Sequence, residues 1–217
     1  MWPLGVLKKP SDGLTTVLHY EFEDVNGSTN FVDLTGRHLP ESRSGAGCYI
    51  STTNPLYGTS SLRLPDKTAY LASDTTGAGT NDFYFPAGSS WQIEISFLVT
   101  AALINTDVFA LHPNTNSASL YRCTINPSSQ ITLSQWSLST PSPALSLNTK
   151  YDLLVKGTKI NATTTLVEAF LDGVLFASNT RGAALGYANT GIFTISGGYS
   201  GNKMNGYVDR VIVKKQL

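Results

Sequence analysis

The sequence predicts an all-β chain, a two-sheet antiparallel β-sandwich. Three observations predict it. Apolar and polar residues alternate with period two, most cleanly where Trp91, Ile93, Ile95 and Phe97 fall on one side and Gln92, Glu94 and Ser96 on the other. Short β-branched and aromatic runs recur roughly every ten positions between turn-formers, the spacing of a sandwich. The one stretch that competes as a helix, residues 99–111, is broken by Asn105-Thr106-Asp107, which suits two strands better.

Taken in order, residues 15–22 (TTVLHYEF) read as the first strand. Residues 62–64 and 69–71 flank a turn at Pro65-Asp66-Lys67, and residues 91–97 follow. Strands at 108–111, 120–125 and 131–138 come next, then 151–155 and 165–171. Asp172-Gly173 stands between two apolar runs and demands a tight hairpin, because both turn positions need positive φ. Residues 191–196 and 206–213 close the set. Loops at 75–79 and 137–143 are too short to divide the chain, and no fixed-period repeat is present. Residues 1–13 read as an extended arm closed by Ser11-Asp12-Gly13, and residues 14–217 as one domain.

Composition bounds the function. The 217 residues carry 15 basic and 15 acidic side chains, so no basic stripe marks a nucleic-acid partner and no charge excess draws the chain to an anionic membrane. Charged residues make up only 14%, and Ser and Thr take up the difference. Hydrophobic content of 41% supports a core without a staple. Cys48 and Cys123 have no metal-ligand spacing, which leaves a disulfide or two buried thiols open. At the N-terminus the apolar stretch 1–7 precedes Lys8-Lys9, the reverse of an export signal.

Candidate chemistry is sparse. Glu21-Phe22-Glu23 is the one compact pair of alternating carboxylates, and a glycoside hydrolase needs such a pair at a set separation. Acids on a solvated sheet face are the preferred reading of it, as of Glu94 and Glu168, which stand isolated on their strands. No G-x-S-x-G is present, and His19, in an apolar strand, reads as packed or hydrogen-bonded. Asp24, Asn26, Asp33, Asp74, Asp82, Asp107, Asn114 and Asn116 offer hard oxygens for Ca²⁺, with Asp24 and Asp33 as the candidates in the first loops. Asx-turn capping is the competing reading. Trp136 and Tyr84 are the candidate aromatic platforms for a sugar, and Trp91 belongs to the core by its alternation. The sequons Asn26-Gly27-Ser28 and Asn161-Ala162-Thr163 matter only in a eukaryotic secretory context.

Several motifs stand in a recognisable order. They are the opening strand Leu18-His19-Tyr20-Glu21-Phe22 with its acidic loop, the turn Asp33-Leu34-Thr35-Gly36, and the strand Gly58-Thr59-Ser60-Ser61-Leu62-Arg63-Leu64. The alternating strand from Trp91, the hairpin around Asp172-Gly173 and the last strand Gly206-Tyr207-Val208-Asp209-Arg210-Val211 follow. Together they resemble the concanavalin A-like jelly roll, and within it the laminin-G-like domains, over residues 14–213. Asn148-Thr149-Lys150-Tyr151 departs from that pattern, because the Trp and two His found there in the family are missing.

The resemblance implies a jelly roll used for adhesion, lectin or virion roles, and function on such a fold lies in the site. No catalytic constellation is present, so the expectation is a non-enzymatic module. Absence of an export signal together with a hydroxyl-rich sandwich suggests a bacteriophage virion protein, in capsid decoration or the tail, docking through residues 1–10. A carbohydrate-binding, lectin-like module is the alternative, extracellular in setting, and a glycoside hydrolase the third. The partners expected are other virion proteins or a cell-surface glycan, with homo-oligomer formation, and neither nucleic acid nor membrane.

Overall fold

The computed structural model describes residues 13–43, 47–65, 69–73, 81–101, 105–113, 121–186, 191–196 and 202–217. In chain order the strands among them are β1 (Thr15–Tyr20), β2 (Pro40–Arg43), β3 (Tyr49–Ser51), β4 (Ser61–Leu64), β5 (Tyr70–Ser73), β6 (Tyr84–Phe85), β7 (Trp91–Val99), β8 (Thr106–His112) and β9 (Tyr121–Ile125). They continue with β10 (Ile131–Ser134), β11 (Lys150–Asn161), β12 (Thr164–Leu171), β13 (Val174–Arg181), β14 (Leu185–Gly186), β15 (Ile192–Ile195), β16 (Asn202–Lys203) and β17 (Gly206–Lys215). The larger sheet runs β13-β12-β11-β7-β17-β4-β3, with β1 also paired to β17. The smaller runs β10-β9-β8-β15-β5-β2, with β16 beside β8, and β14-β6 form a short ribbon. Every ladder is antiparallel except the two-residue contact of β16 with β8. The all-β sandwich read from the sequence is therefore what the chain forms.

Period two decides which side chains meet. In β7, Trp91, Ile93, Ile95 and Phe97 point inward and are buried, with Val155 and Leu153 of β11 and Val211 and Val213 of β17 in the same layer. Trp91 lies against Gly157, where any Cβ would fall on the indole, so this strand position admits only glycine. Across the sandwich, Phe109 and Phe193 stack at 5.5 Å and Phe83 adjoins Phe193 at 5.6 Å. The Tyr20 hydroxyl meets Ser73 Oγ at 2.8 Å, a buried hydrogen bond that joins β1 of one sheet to β5 of the other.

The hairpin at Asp172-Gly173 forms with φ of 50° and 80°, as its turn chemistry requires. Asn105, at φ 47°, ends the helical rival, and β8 begins one residue later. The runs at 62–64 and 69–71 lie in opposite sheets, so the turn between them is a crossover and not a hairpin; Asp66 and Lys67 fall outside the described residues. The strand expected over 131–138 stops at Ser134. Gln135 and Ser137 adopt φ of 63° and 65°, and this reversal turns Trp136 into the core. Cys48 and Cys123 are buried thiols, not joined in a disulfide. The arm at residues 1–10 and the candidate ligands Asp74, Asn114 and Asn116 also lie outside the described residues.

Candidate functional site

Of the four expected ligand-binding or metal residues, Trp136 lies in the core and Asp24 and Asp33 are taken up by their own turns. Trp136 is 0% exposed and packs against Trp91 at 5.7 Å, Phe109 at 5.8 Å and Tyr121 at 6.2 Å, so neither face of its indole is offered to a sugar. The sequence offered it as an aromatic platform in a strand over 131–138, and the left-handed residues on either side turn it inward instead. Tyr84 is half-buried in the short ribbon with β14, and its carbonyl accepts from Lys215 Nζ at 3.1 Å. Asp33 caps the turn after β1. It accepts from the backbone N–H groups of His19, Thr35, Arg37 and His38 and from the Thr35 hydroxyl at 2.6 Å. Asp24 accepts from Ser28 Oγ at 2.6 Å and the Val25 N–H, bonds that hold its carboxyl below the usual range. Both oxygen sets are thus engaged in turn capping. Among the described residues no group of three His, Cys, Asp or Glu could hold a metal.

Chemistry gathers instead on the outer face of the larger sheet. Strands β11, β7 and β17 point Asp152, Glu94 and Arg210 outward there, beside residues buried on the inner face. The register of β17 against β7 shifts between Val208 and Val211. This bulge adds a residue to the strand, and such a feature re-aims side chains at a rim. Asp209 is thereby tucked under the 56–59 loop and Arg210 stands on the surface. Asp209 Oδ2 accepts from the Tyr57 N–H at 2.6 Å and from Ser61 Oγ at 3.1 Å. Burial pushes its carboxyl up, against the pull of those donors. The clamp fixes Tyr57, whose hydroxyl donates to Asp152 Oδ2 at 2.7 Å. Asp152 Oδ1 accepts from Ser96 Oγ at 2.6 Å.

Two cations border the Tyr57 ring, Lys150 Nζ at 3.2 Å and the Arg210 guanidinium at 5.4 Å from its centroid. The ring remains 38% exposed. Arg210 also reaches Glu94 at 3.4 Å, and Lys214 reaches the same carboxylate at 3.5 Å. Burial alone would raise the Glu23 carboxyl, but donors from Thr59 and Ser60 hold it below the usual range. Gly58, at φ 58°, lies directly against it, and a Cβ would fall on the carboxylate. Glu21 is exposed and meets His19 Nε2 at 3.1 Å, the hydrogen-bonded role expected of that histidine.

These residues line two hollows that share Arg210. One, of about 300 Å³, is lined by Glu21, Glu23, Tyr57, Gly58, Asp209 and Arg210. The other, of about 250 Å³, includes Gln92, Glu94, Ser96, Asp152 and Gly173. The result is a polar groove with one aromatic ring at its middle. Sequence reading missed Tyr57 and Arg210, which lie 153 positions apart and meet only through the bulge. An acid next to a cation in the apolar last strand is the one local signal of it. A second polar cluster, Asp107 with Arg122 at 2.6 Å in the smaller sheet, is closed: Asp107 is fully buried, and burial pushes its carboxyl up to about 6.

No protein-family model and no curated protein sequence matches this chain. Solved structures do. Domain 4 of AbnA, an extracellular GH43 arabinanase from Geobacillus stearothermophilus solved with arabinotriose, aligns over 93% of each chain at TM-score 0.63 and 10% identity. Trypanosoma rangeli sialidase, in complex with 2,3-difluorosialic acid, aligns at TM-score 0.60 and 10% identity over 94% of this chain, which spans 30% of the sialidase. The binding domain of botulinum neurotoxin DC in complex with SialylT aligns at TM-score 0.56 and 11% identity, over 91% of this chain and 47% of that one. At these identities the likeness is one of fold, and it places the chain among the β-sandwich domains.

Proposed function

We propose that this chain is a non-catalytic glycan-binding module whose ligand lies in the groove on the outer face of the larger sheet. The observation that carries the reading is the Tyr57 centre, a partly exposed ring pinned among Asp152, Arg210 and Lys150 and flanked by carboxylates. Sugar sites combine an apolar ring with a few placed polar groups, and this is such a combination. That the arabinanase domain and the toxin domain were solved with saccharides supports it. The carboxylates are engaged in structure, Glu23 with Thr59, Asp209 with Tyr57 and Ser61, and Asp152 with Tyr57 and Ser96, which supports a binding role over hydrolysis. Such a module suits a virion surface or an extracellular protein alike.

A glycan array tests it. Saturable binding is expected, with Tyr57→Ala losing about five- to thirtyfold in affinity, since a ring covered by ligand is worth about 1–2 kcal/mol. The variant's unfolding transition is expected to stay cooperative. An array without retained glycans, or a Tyr57→Ala protein that binds as the parent does, removes the reading. Release of reducing sugar, abolished by Glu21→Gln or Glu23→Gln, would remove its non-catalytic part.

A further inference from the structure

The hollow around Tyr57 continues on its far side. Glu21 and Glu23 also line a third hollow of about 360 Å³, with Asp24, Asn30, Phe31 and Leu34 among its walls. The three hollows are therefore linked in a row, joined by Arg210 at one end and by Glu21 and Glu23 at the other. The row has a strong charge sign. Glu21, Glu23, Asp24, Glu94, Asp152 and Asp209 line it, and Arg210 is the one cation in the lining.

The nearby cations do not reverse the sign. Arg210 is engaged with Glu94, Lys214 with the same carboxylate, and Lys150 stands 3.9 Å from Asp152 over the Tyr57 ring. Counting both lysines, three carboxylates remain in excess. A carboxylate is an acceptor only, so these groups can take hydrogen bonds from sugar hydroxyls but can give none to an anionic sugar. An anion entering the row would meet like charge in a partly enclosed space, where repulsion is screened less than in open water.

We infer that the row of three hollows takes an extended, uncharged oligosaccharide and rejects glycans that bear carboxylates. The inference rests on the glycan-binding reading and adds the ligand class to it. Selectivity here works through repulsion of the wrong partner as much as through attraction of the right one.

The test is titration of the full chain with paired probes: arabinotriose and lactose as neutral glycans, trigalacturonate and 3′-sialyllactose as acidic ones, at low and high salt. A neutral probe is expected to bind at least tenfold more tightly than its acidic counterpart, with the gap narrowing as salt is raised. Glu21→Gln with Glu94→Gln is expected to shift the ratio of acidic to neutral affinity at least tenfold toward the acidic probes. Acidic probes that bind as well as neutral ones overturn the inference and leave the glycan-binding reading standing. Acidic binding that appears on adding Ca²⁺ and vanishes with chelator also overturns it, since the carboxylates would then serve a cation. If none of the four probes binds and the array retains nothing, the glycan-binding reading falls, and this inference with it.

Discussion

Truncating Trp136 to alanine is expected to cost about 3–5 kcal/mol of folding stability, the range for emptying an indole site in a packed core. The reason is its position. The ring touches Trp91 of one sheet and Phe109 of the other, so its loss opens a void between the layers. The strand order sharpens the expectation. The segment that carries Trp136 has no β-ladder beyond Ser134, and the side chain itself anchors the turn. Urea unfolding at neutral pH measures the loss, and thermal unfolding of a domain of this size would show a fall in Tm of roughly 10 °C. Trp136→Phe makes the informative comparison. The indole Nε1 finds no hydrogen-bond acceptor among the described residues, so phenylalanine removes an unpaired donor along with the second ring. It is expected to lose less than half as much. A Trp136→Ala protein as stable as the parent would show that the ring does not fill the core. Any loss of glycan binding in this variant is expected to follow its unfolded fraction, in contrast to Tyr57→Ala.

Asp82→Ala is expected to cost about 3 kcal/mol or more, because it strips the counter-charge from a buried pair. Arg37 meets the carboxylate with two bonds, Nε to Oδ2 at 2.6 Å and a terminal nitrogen to Oδ1 at 2.8 Å. His38 Nε2 meets Oδ2 at 3.1 Å, in a site where neither His38 nor Asp82 is open to water, and the imidazole stacks on Phe83 at 4.8 Å. The carboxylate thus ties the turn after β1 to the segment before β6. Burial would raise its pKa, yet His38 and Arg37 together hold it below the ordinary value of 3.8. The sign follows from that. In the unfolded chain Asp82 takes up a proton near pH 4, while in the fold it stays ionised to lower pH. The ion pair therefore stabilises fully above that range and loses its contribution as pH falls through the folded pKa. Urea midpoints between pH 6 and pH 2.5 are expected to drop less steeply for Asp82→Asn than for the parent. Equal slopes would mean that the pair carries no linkage. Arg37→Ala is expected to cost less than Asp82→Ala, since Arg37 is 30% exposed and Asp82 would keep His38.

Much of the fold was legible because it rests on local rules. The strict alternation from Trp91 could serve only a strand with one dry face. Asp172-Gly173 could serve only a tight hairpin. Asn105 split a stretch that hydropathy alone would have left helical. Where reading failed, the cause was non-local. Ile131, Leu133 and Trp136 look like one amphipathic strand until two non-glycine residues adopt a left-handed backbone, and nothing in Gln135 or Ser137 announces that. Trp136 was therefore offered as a platform when it is a core residue. Asp24 and Asp33 have the right oxygens for a cation, but their own turns use those oxygens first. Tyr57, Asp152 and Arg210 lie on three separate segments, and a register shift near the start of β17 brings them together. Periodicity cannot foretell such a shift, because an inserted residue looks the same in sequence whether it bulges or pairs.

The last strand of the chain is also an inner one. β17 pairs with β7 along one side and with β4 and β1 along the other. During synthesis, everything before residue 206 emerges without the piece that closes the larger sheet, and three strands wait with unpaired edges. Folding of this sheet therefore waits until residues 206–215 are available, and it depends on pairings between segments far apart in sequence. Chains with such distant pairings fold slowly and are vulnerable to aggregation until they finish. Deleting residues 206–215 is therefore expected to leave β7, β4 and β1 without their common partner.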